Sequence, residues 1–233
     1  AAVDLMRSLE YVGAATCEFL VDVDRDAFVF LEVNARVQVE HPVTEMVTGI
    51  DIVREQIRVA RGEALSFRQE DVVITGHAIE CRINAENVDA GFLPSPGVVT
   101  AWTPPIGSGI RVDTFMHDGA VIPPFYDSLI AKVIAHAPSR AEAIALMDRA
   151  LGKLTVWLGS LPPKSAIPFI LISVVVFVGG LAVEEKLVLQ TTPLHRSIMQ
   201  NERFRTSPIT TKWIEEEFLP SLPSVGDSAA RPS

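Results

Sequence analysis

The chain has 233 residues and a net charge of −9, with 48% hydrophobic and 21% charged residues. That length holds one large domain or two small ones with a sizeable core, and the composition argues against disorder. No dense Lys/Arg cluster is present, so nucleic-acid and anionic-membrane partners are disfavoured. Cys17 and Cys81 are too few and too far apart for a disulfide framework and read as buried free thiols of a reducing, cytoplasmic compartment. The start carries neither a signal peptide nor an initiator Met, and "AAVDLMRSLEYVG" opens in a helix already under way. The expectation is a piece of a longer protein.

In chain order, residues 4–11 read as the tail of a helix closed near Gly13. "GAATCEFLVDVDRDAFVFLEVNA" alternates as two strands around the polar turn Asp22 to Asp26, which predicts a hairpin. "HPVTEMVTG" places Pro42 where a helix begins and Gly49 where it ends, and Asp51 is positioned to cap "IVREQIRVAR", which Gly62 stops. From Val72 to Val133 the pattern is mostly β: "VVITGHAIECRINAE", "GVVTAWTPP", "GIRVDTFM" and "SLIAKVIAHA" are separated by Pro/Gly turns. Ser139 and Glu142 then form a capping box ahead of a helix whose Ile144, Met147 and Leu151 share one face. After Leu151 the character changes, with nineteen consecutive uncharged residues from Ser165 to Val183. "TTPLHRSIMQNERF" returns to an amphipathic helical pattern, and "PSLPSVGDSAARPS" reads as a disordered tail.

The stretch from Phe30 to Glu40 carries the chemistry. If it is extended, Phe30, Glu32, Asn34, Arg36, Gln38 and Glu40 fall on one face, and Leu31, Val33, Ala35, Val37 and Val39 pack inward on the other. Glu18 lies on the preceding strand of the hairpin. If it stands beside Glu32, the two carboxylates are roughly 4–6 Å apart and repel by about 4 kcal/mol at an effective dielectric near 20. With Asn34 they form an oxygen set suited to a hard cation such as Mg²⁺, completed by phosphate oxygens. The Arg36 guanidinium offers a planar fork for bicarbonate, carboxylate or phosphate, Gln38 and a nearby backbone N–H complete an anion site, and Glu40 is placed to take a proton. The plain alternatives are the solvated face of an ordinary hairpin and a salt bridge between Arg36 and a glutamate. His41 reads as a structural turn residue.

"GAATCEFLVD", "FVFLEVNARVQVEHPVTEMVTGIDIVREQIRVA", "GHAIECRINAEN", "FLPSPGVV" and "PPFYDSLIAKVIAH" together resemble biotin carboxylase, the ATP-grasp component of biotin-dependent carboxylases such as acetyl-CoA carboxylase. The resemblance runs from Val12 to Leu151 and resumes at "TTPLHRSIMQNERFRTSPITTKWIEEEF". It implies an α+β fold in which the C-terminal part of an ATP-grasp domain is followed by a β-rich biotin carboxylase C-terminal domain with flanking helices. By resemblance Glu18, Glu32 and Asn34 hold Mg²⁺ or Mn²⁺ against the ATP phosphates. Arg36, Gln38 and the Val39 backbone hold bicarbonate. Glu40 is the base that deprotonates it on the way to carboxyphosphate, and Arg82 stabilises charge beside the biotin ureido group. The resemblance further implies ATP as substrate, biotin as carboxyl acceptor, a biotin carboxyl carrier protein, a carboxyltransferase and a second copy as partners, and a place in fatty acid biosynthesis.

Two departures qualify this. The glycine-rich lid, the ATP-gripping lysines and the adenine pocket of the family would lie before Ala1, so no turnover is expected of this chain alone. Between Leu151 and Thr191 about thirty extra residues intervene, among them the uncharged run. Nineteen residues would just span a bilayer, but Pro168, Gly179–Gly180 and the β-branched Val174–Val176 speak against a helix, and an atypical insertion is the favoured reading. The expected organisation is ATP-grasp to residue 49, biotin carboxylase C-terminal domain over 50–151, insertion over 152–190, the end of that domain over 191–218, and a tail over 219–233. Competing assignments are another ATP-grasp ligase and a non-catalytic fragment that keeps a dimerisation surface.

Overall fold

The computed structural model describes residues 1–22, 25–87, 90–159, 192–207, 209 and 212–222. Most of the proposed insertion, with its uncharged run, and the tail from residue 223 lie outside the described residues. Among the described residues no helix is long and apolar enough to cross a membrane. The chain divides into two compact units, Ala1–Glu80 with His136–Arg140, and Cys81–Ala135 with Ala141–Ser233. Helices and antiparallel strands both contribute, as an α+β chain requires.

The first unit begins with helix α1 (Ala2–Ser8) and the antiparallel hairpin β1 (Thr16–Asp22) and β2 (Ala27–Asn34). Helix α2 (His41–Thr48) carries Pro42 in its first turn, where the missing N–H costs no helical bond. It ends at Gly49, whose φ of 73° needs the freedom of a residue without Cβ. Asp51 caps α3 (Ile52–Ala60) by accepting from the Arg54 N–H at 2.8 Å. Within α3, buried Glu55 accepts from the Ser66 hydroxyl at 2.6 Å and the Ser66 N–H at 2.9 Å, fixing the loop that follows. The Ser66 hydroxyl holds the Glu55 pKa below its ordinary value. The strand expected from Val72 starts only at His77. Thr75 bonds through both its N–H and its hydroxyl to the Val47 carbonyl rather than to a ladder, and Gly76 turns the backbone with φ of 66°.

The strands that follow are β3 (His77–Asn84), β4 (Glu86–Asn87), β5 (Leu93–Pro94), β6 (Gly97–Thr103), β7 (Ile110–Thr114), β8 (Val121–Ile122) and β9 (Leu129–Ala137). Helix α4 (Arg140–Leu151) and β10 (Thr155–Gly159) complete this region. The strands form two three-stranded sheets, ordered β10-β6-β8 and β3-β9-β7, and a short β4-β5 pair. Core residues come at the spacing each element dictates: Cys81 and Ile83 on β3, Val156 and Leu158 on β10, and Ile144, Met147 and Leu151 on α4, as predicted. Gly97 is required by proximity, because a Cβ there would stand 2.5 Å from the Gly159 carbonyl oxygen.

The helix expected over 191–204 forms as two, Thr192–Gln200 and Glu202–Thr206. Asn201 separates them because its side chain accepts from the Phe204 N–H and so caps the second. Beyond them Trp213 and Phe218 are buried with ring centroids 5.2 Å apart.

Candidate functional site

The hairpin register decides the site. From Asp22↔Ala27 to Phe19↔Phe30 the pairing is regular, and continued without change it would set Glu18 opposite Leu31. An irregularity between Glu18 and Phe19 takes Leu31 out of register and pairs Glu18 with Glu32 instead. The same slip reverses the alternation. Phe28 and Phe30 face Phe19, with ring centroids at 5.4 and 5.8 Å, while Glu32 and Asn34 share the opposite face with Glu18. The single polar face expected from Phe30 onward is therefore corrected: Phe30 is not on it.

A second correction concerns its length. The ladder ends at Thr16↔Asn34, where the partner strand runs out, and the Arg36 N–H closes onto the Asn34 carbonyl at 2.8 Å. Residues 35–40 leave the strand and turn into α2, with the His41 N–H bonded to the Gln38 carbonyl at 3.3 Å. The inward packing expected of the odd positions also fails at Leu31, which is 54% exposed, and at exposed Ala35. Arg36 and Gln38 nonetheless remain beside the carboxylates, because the turn folds them back.

Hydrogen bonds connect the group. Asn34 Nδ2 donates to Glu18 Oε1 and to Glu32 Oε1, both at 2.9 Å. Gln38 Nε2 donates to the same Glu18 oxygen at 3.1 Å, and Arg36 Nη2 reaches Asn34 Oδ1 at 3.4 Å. Two carboxylates thus converge on one amide group, whose N–H dipoles offset part of their repulsion. This donor set fits a Mg²⁺ ion, since two carboxylate oxygens and, once the amide turns over, Asn34 Oδ1 leave sites for water and phosphate. No group of three or more His, Cys, Asp or Glu gathers elsewhere among the described residues.

Glu40 is exposed at the N-terminal boundary of α2, directly after Val39. Arg82 is exposed on β3 between buried Cys81 and Ile83; it lies in the second unit, and the other site candidates lie in the first. Of the two thiols, both free, Cys81 is buried but Cys17 only half-buried, which corrects the expectation for Cys17. His41 does more than end a strand. It opens α2, and its Nδ1 stands 3.0 Å from Oε1 of buried Glu45, which also accepts the Ile52 N–H at 2.8 Å. The i, i+4 spacing of "HPVTE" was the signal in the sequence for that pair.

Residues 80–160 match the family model of the biotin carboxylase C-terminal domain, and residues 1–68 match that of the carbamoyl-phosphate synthase L chain ATP-binding domain. Biotin carboxylase 1 of Bacillus subtilis is 42% identical over 92% of this chain and 41% of its own length. The chain belongs to the biotin carboxylase family. A biotin carboxylase of Pseudomonas aeruginosa is 57% identical over 63% of this chain and 32% of its own. A pyruvate carboxylase subunit from Methanothermobacter thermautotrophicus is 44% identical over 91% and 37%. Among solved structures, the biotin carboxylase domain dimer of Hydrogenobacter thermophilus 2-oxoglutarate carboxylase, in complex with MgADP, ADP and bicarbonate, matches with a TM-score of 0.76. It is 39% identical and covers 92% of this chain and 41% of that one. The chain thus spans about two fifths of the length of these biotin carboxylase relatives.

Proposed function

We propose that this chain supplies the metal and bicarbonate part of a biotin carboxylase site, in an enzyme that carboxylates biotin with ATP and bicarbonate. The observation that carries the reading is the Glu18–Glu32 pair joined through Asn34, with Arg36 and Gln38 hydrogen-bonded into the same group. Glu18, Glu32 and Asn34 are the ligands for Mg²⁺ or Mn²⁺, which when bound neutralises phosphate charge on ATP. Arg36, Gln38 and the Val39 N–H hold bicarbonate. Glu40 takes the bicarbonate proton as a bicarbonate oxygen attacks the γ-phosphorus and the bond to ADP breaks, giving carboxyphosphate and ADP. Arg82 stabilises negative charge during carboxyl transfer to biotin.

The partners in this reading are a biotin carboxyl carrier protein, a carboxyltransferase and a second copy of the chain. The domain boundary near residue 49 belongs to the same proposal. Acetyl-CoA or a related acyl-CoA is the proposed final acceptor, in fatty acid biosynthesis. A second reading, pyruvate or another 2-oxoacid as acceptor, is favoured by the resemblance to the Methanothermobacter pyruvate carboxylase protein and to the 2-oxoglutarate carboxylase domain. A hybrid tests the site chemistry: residues 1–159 replace the aligned segment of the Bacillus subtilis biotin carboxylase. Biotin-dependent ATP cleavage is expected, and Glu40→Gln should lower it by about 100-fold or more. A working hybrid indifferent to Glu40→Gln would remove Glu40 from the reaction.

A further inference from the structure

Two of the groups assigned to the anion are hydrogen-bonded to groups assigned to the cation. Gln38 Nε2 donates to Glu18 Oε1 at 3.1 Å, and Arg36 Nη2 reaches Asn34 Oδ1 at 3.4 Å. Glu18 Oε1 also accepts from Asn34 Nδ2, so its lone pairs are shared between two amide donors. A divalent cation between Glu18 and Glu32 competes for that oxygen. It also faces the hydrogens of Asn34 Nδ2, which repel it, so the amide turns over to present Oδ1. That rotation withdraws the acceptor Arg36 was using, while loss of the Glu18 lone pair releases the Gln38 amide.

We propose that the two amides couple the sites: cation binding transfers Gln38 and Arg36 from the carboxylate group to the anion, so that Mg²⁺ raises the affinity for bicarbonate. This rests on the functional reading above. It deepens that reading by giving Gln38 two alternating partners, Glu18 and the anion. Linkage makes the effect reciprocal, so bicarbonate tightens Mg²⁺ by the same factor. It also distinguishes competition from simple attraction between opposite charges, because a competing donor weakens the cation site even when no anion is present.

The test is calorimetric titration of the 233-residue chain with Mg²⁺ alone, in the wild type, Gln38→Leu and Glu18→Gln. Removing the Gln38 donor is expected to tighten Mg²⁺ by about threefold or more, and Glu18→Gln to weaken it by about tenfold or more. In the wild type, Mg²⁺ should shift the side-chain amide NMR signals of Asn34 and Gln38, a readout that needs no variant to fold. It should also tighten bicarbonate by about fivefold. If Glu18→Gln weakens Mg²⁺ while Gln38→Leu leaves it unchanged or weaker, or the two amide signals do not move, the coupling is overturned and the functional reading stands. If Glu18→Gln binds Mg²⁺ as the wild type does, the ion is elsewhere and both fail.

Discussion

Strands β2 and β9 are similar in length and both rich in apolar residues, yet six of the eight residues of β2 are exposed and six of the nine in β9 are buried. Strand β9 is the centre of a three-stranded sheet and supplies Ile130, Val133 and Ile134 to the core, each at most 2% exposed. Strand β2 has one partner, and Phe28, Val29, Phe30 and Leu31 remain between 48% and 62% exposed on it. A two-stranded sheet cannot cover either of its faces with its own strands, and such a hairpin gains little independent stability in water. The difference separates two tasks. The second unit stores the stability, and the hairpin of the first holds charged groups in register at its edge.

The largest effect should come from the core. Ile134→Ala removes a side chain with no exposure and is expected to cost about 2–5 kcal/mol in urea unfolding. Next is a pH effect in the second unit. The Nδ1 of His195 is buried without a hydrogen-bond partner, and burial pushes its pKa down from 6.5 to about 4. Between those values the unfolded chain takes up a proton that the folded chain refuses. Stability therefore falls as pH drops from 6.5 to 4, by up to roughly 3 kcal/mol, and is unaffected by this group above 6.5. Melting of wild type and His195→Met across that range checks this, the variant showing the shallower slope. Asp113 acts lower on the scale. Burial works to raise its pKa, but the Arg111 hydrogen bond with the Arg111 and Lys132 charges prevails, so its contribution is lost only as pH falls below its ordinary 3.8. Smallest is Phe28→Ala on the hairpin, expected to cost under about 1 kcal/mol despite the loss of the edge-on contact with Phe19. A cost there equal to that of Ile134→Ala would erase the contrast between the units.

Much of this was legible in the sequence, for reasons that differ by element. Pro42, Gly49 and Asp51 act within one turn of themselves, so local chemistry sufficed to bound α2 and start α3. The face of α4 followed from its helical period. The carboxylate pair was legible as composition and spacing, but its partner register was not. A β-bulge depends on both strands at once, and alternation read along one strand alone put Phe30 on the wrong face. The polar series beyond Asn34 looked like a continuing strand because nothing in its own residues reveals that β1 has ended at Thr16. The buried Glu45, which ties His41 to the start of α3, was missed because the bond to Ile52 spans two helices.

The account rests on Glu18 and Glu32 holding a divalent cation on one face of the hairpin, and Mn²⁺ is the most direct probe of it. Titrated at trace levels into isotope-labelled chain, Mn²⁺ should first broaden the NMR signals of Glu18, Glu32 and Asn34, leaving β9 and α4 sharp. Broadening that begins instead at the exposed Glu215–Glu217 run, or that survives Glu32→Gln undiminished, would contradict it.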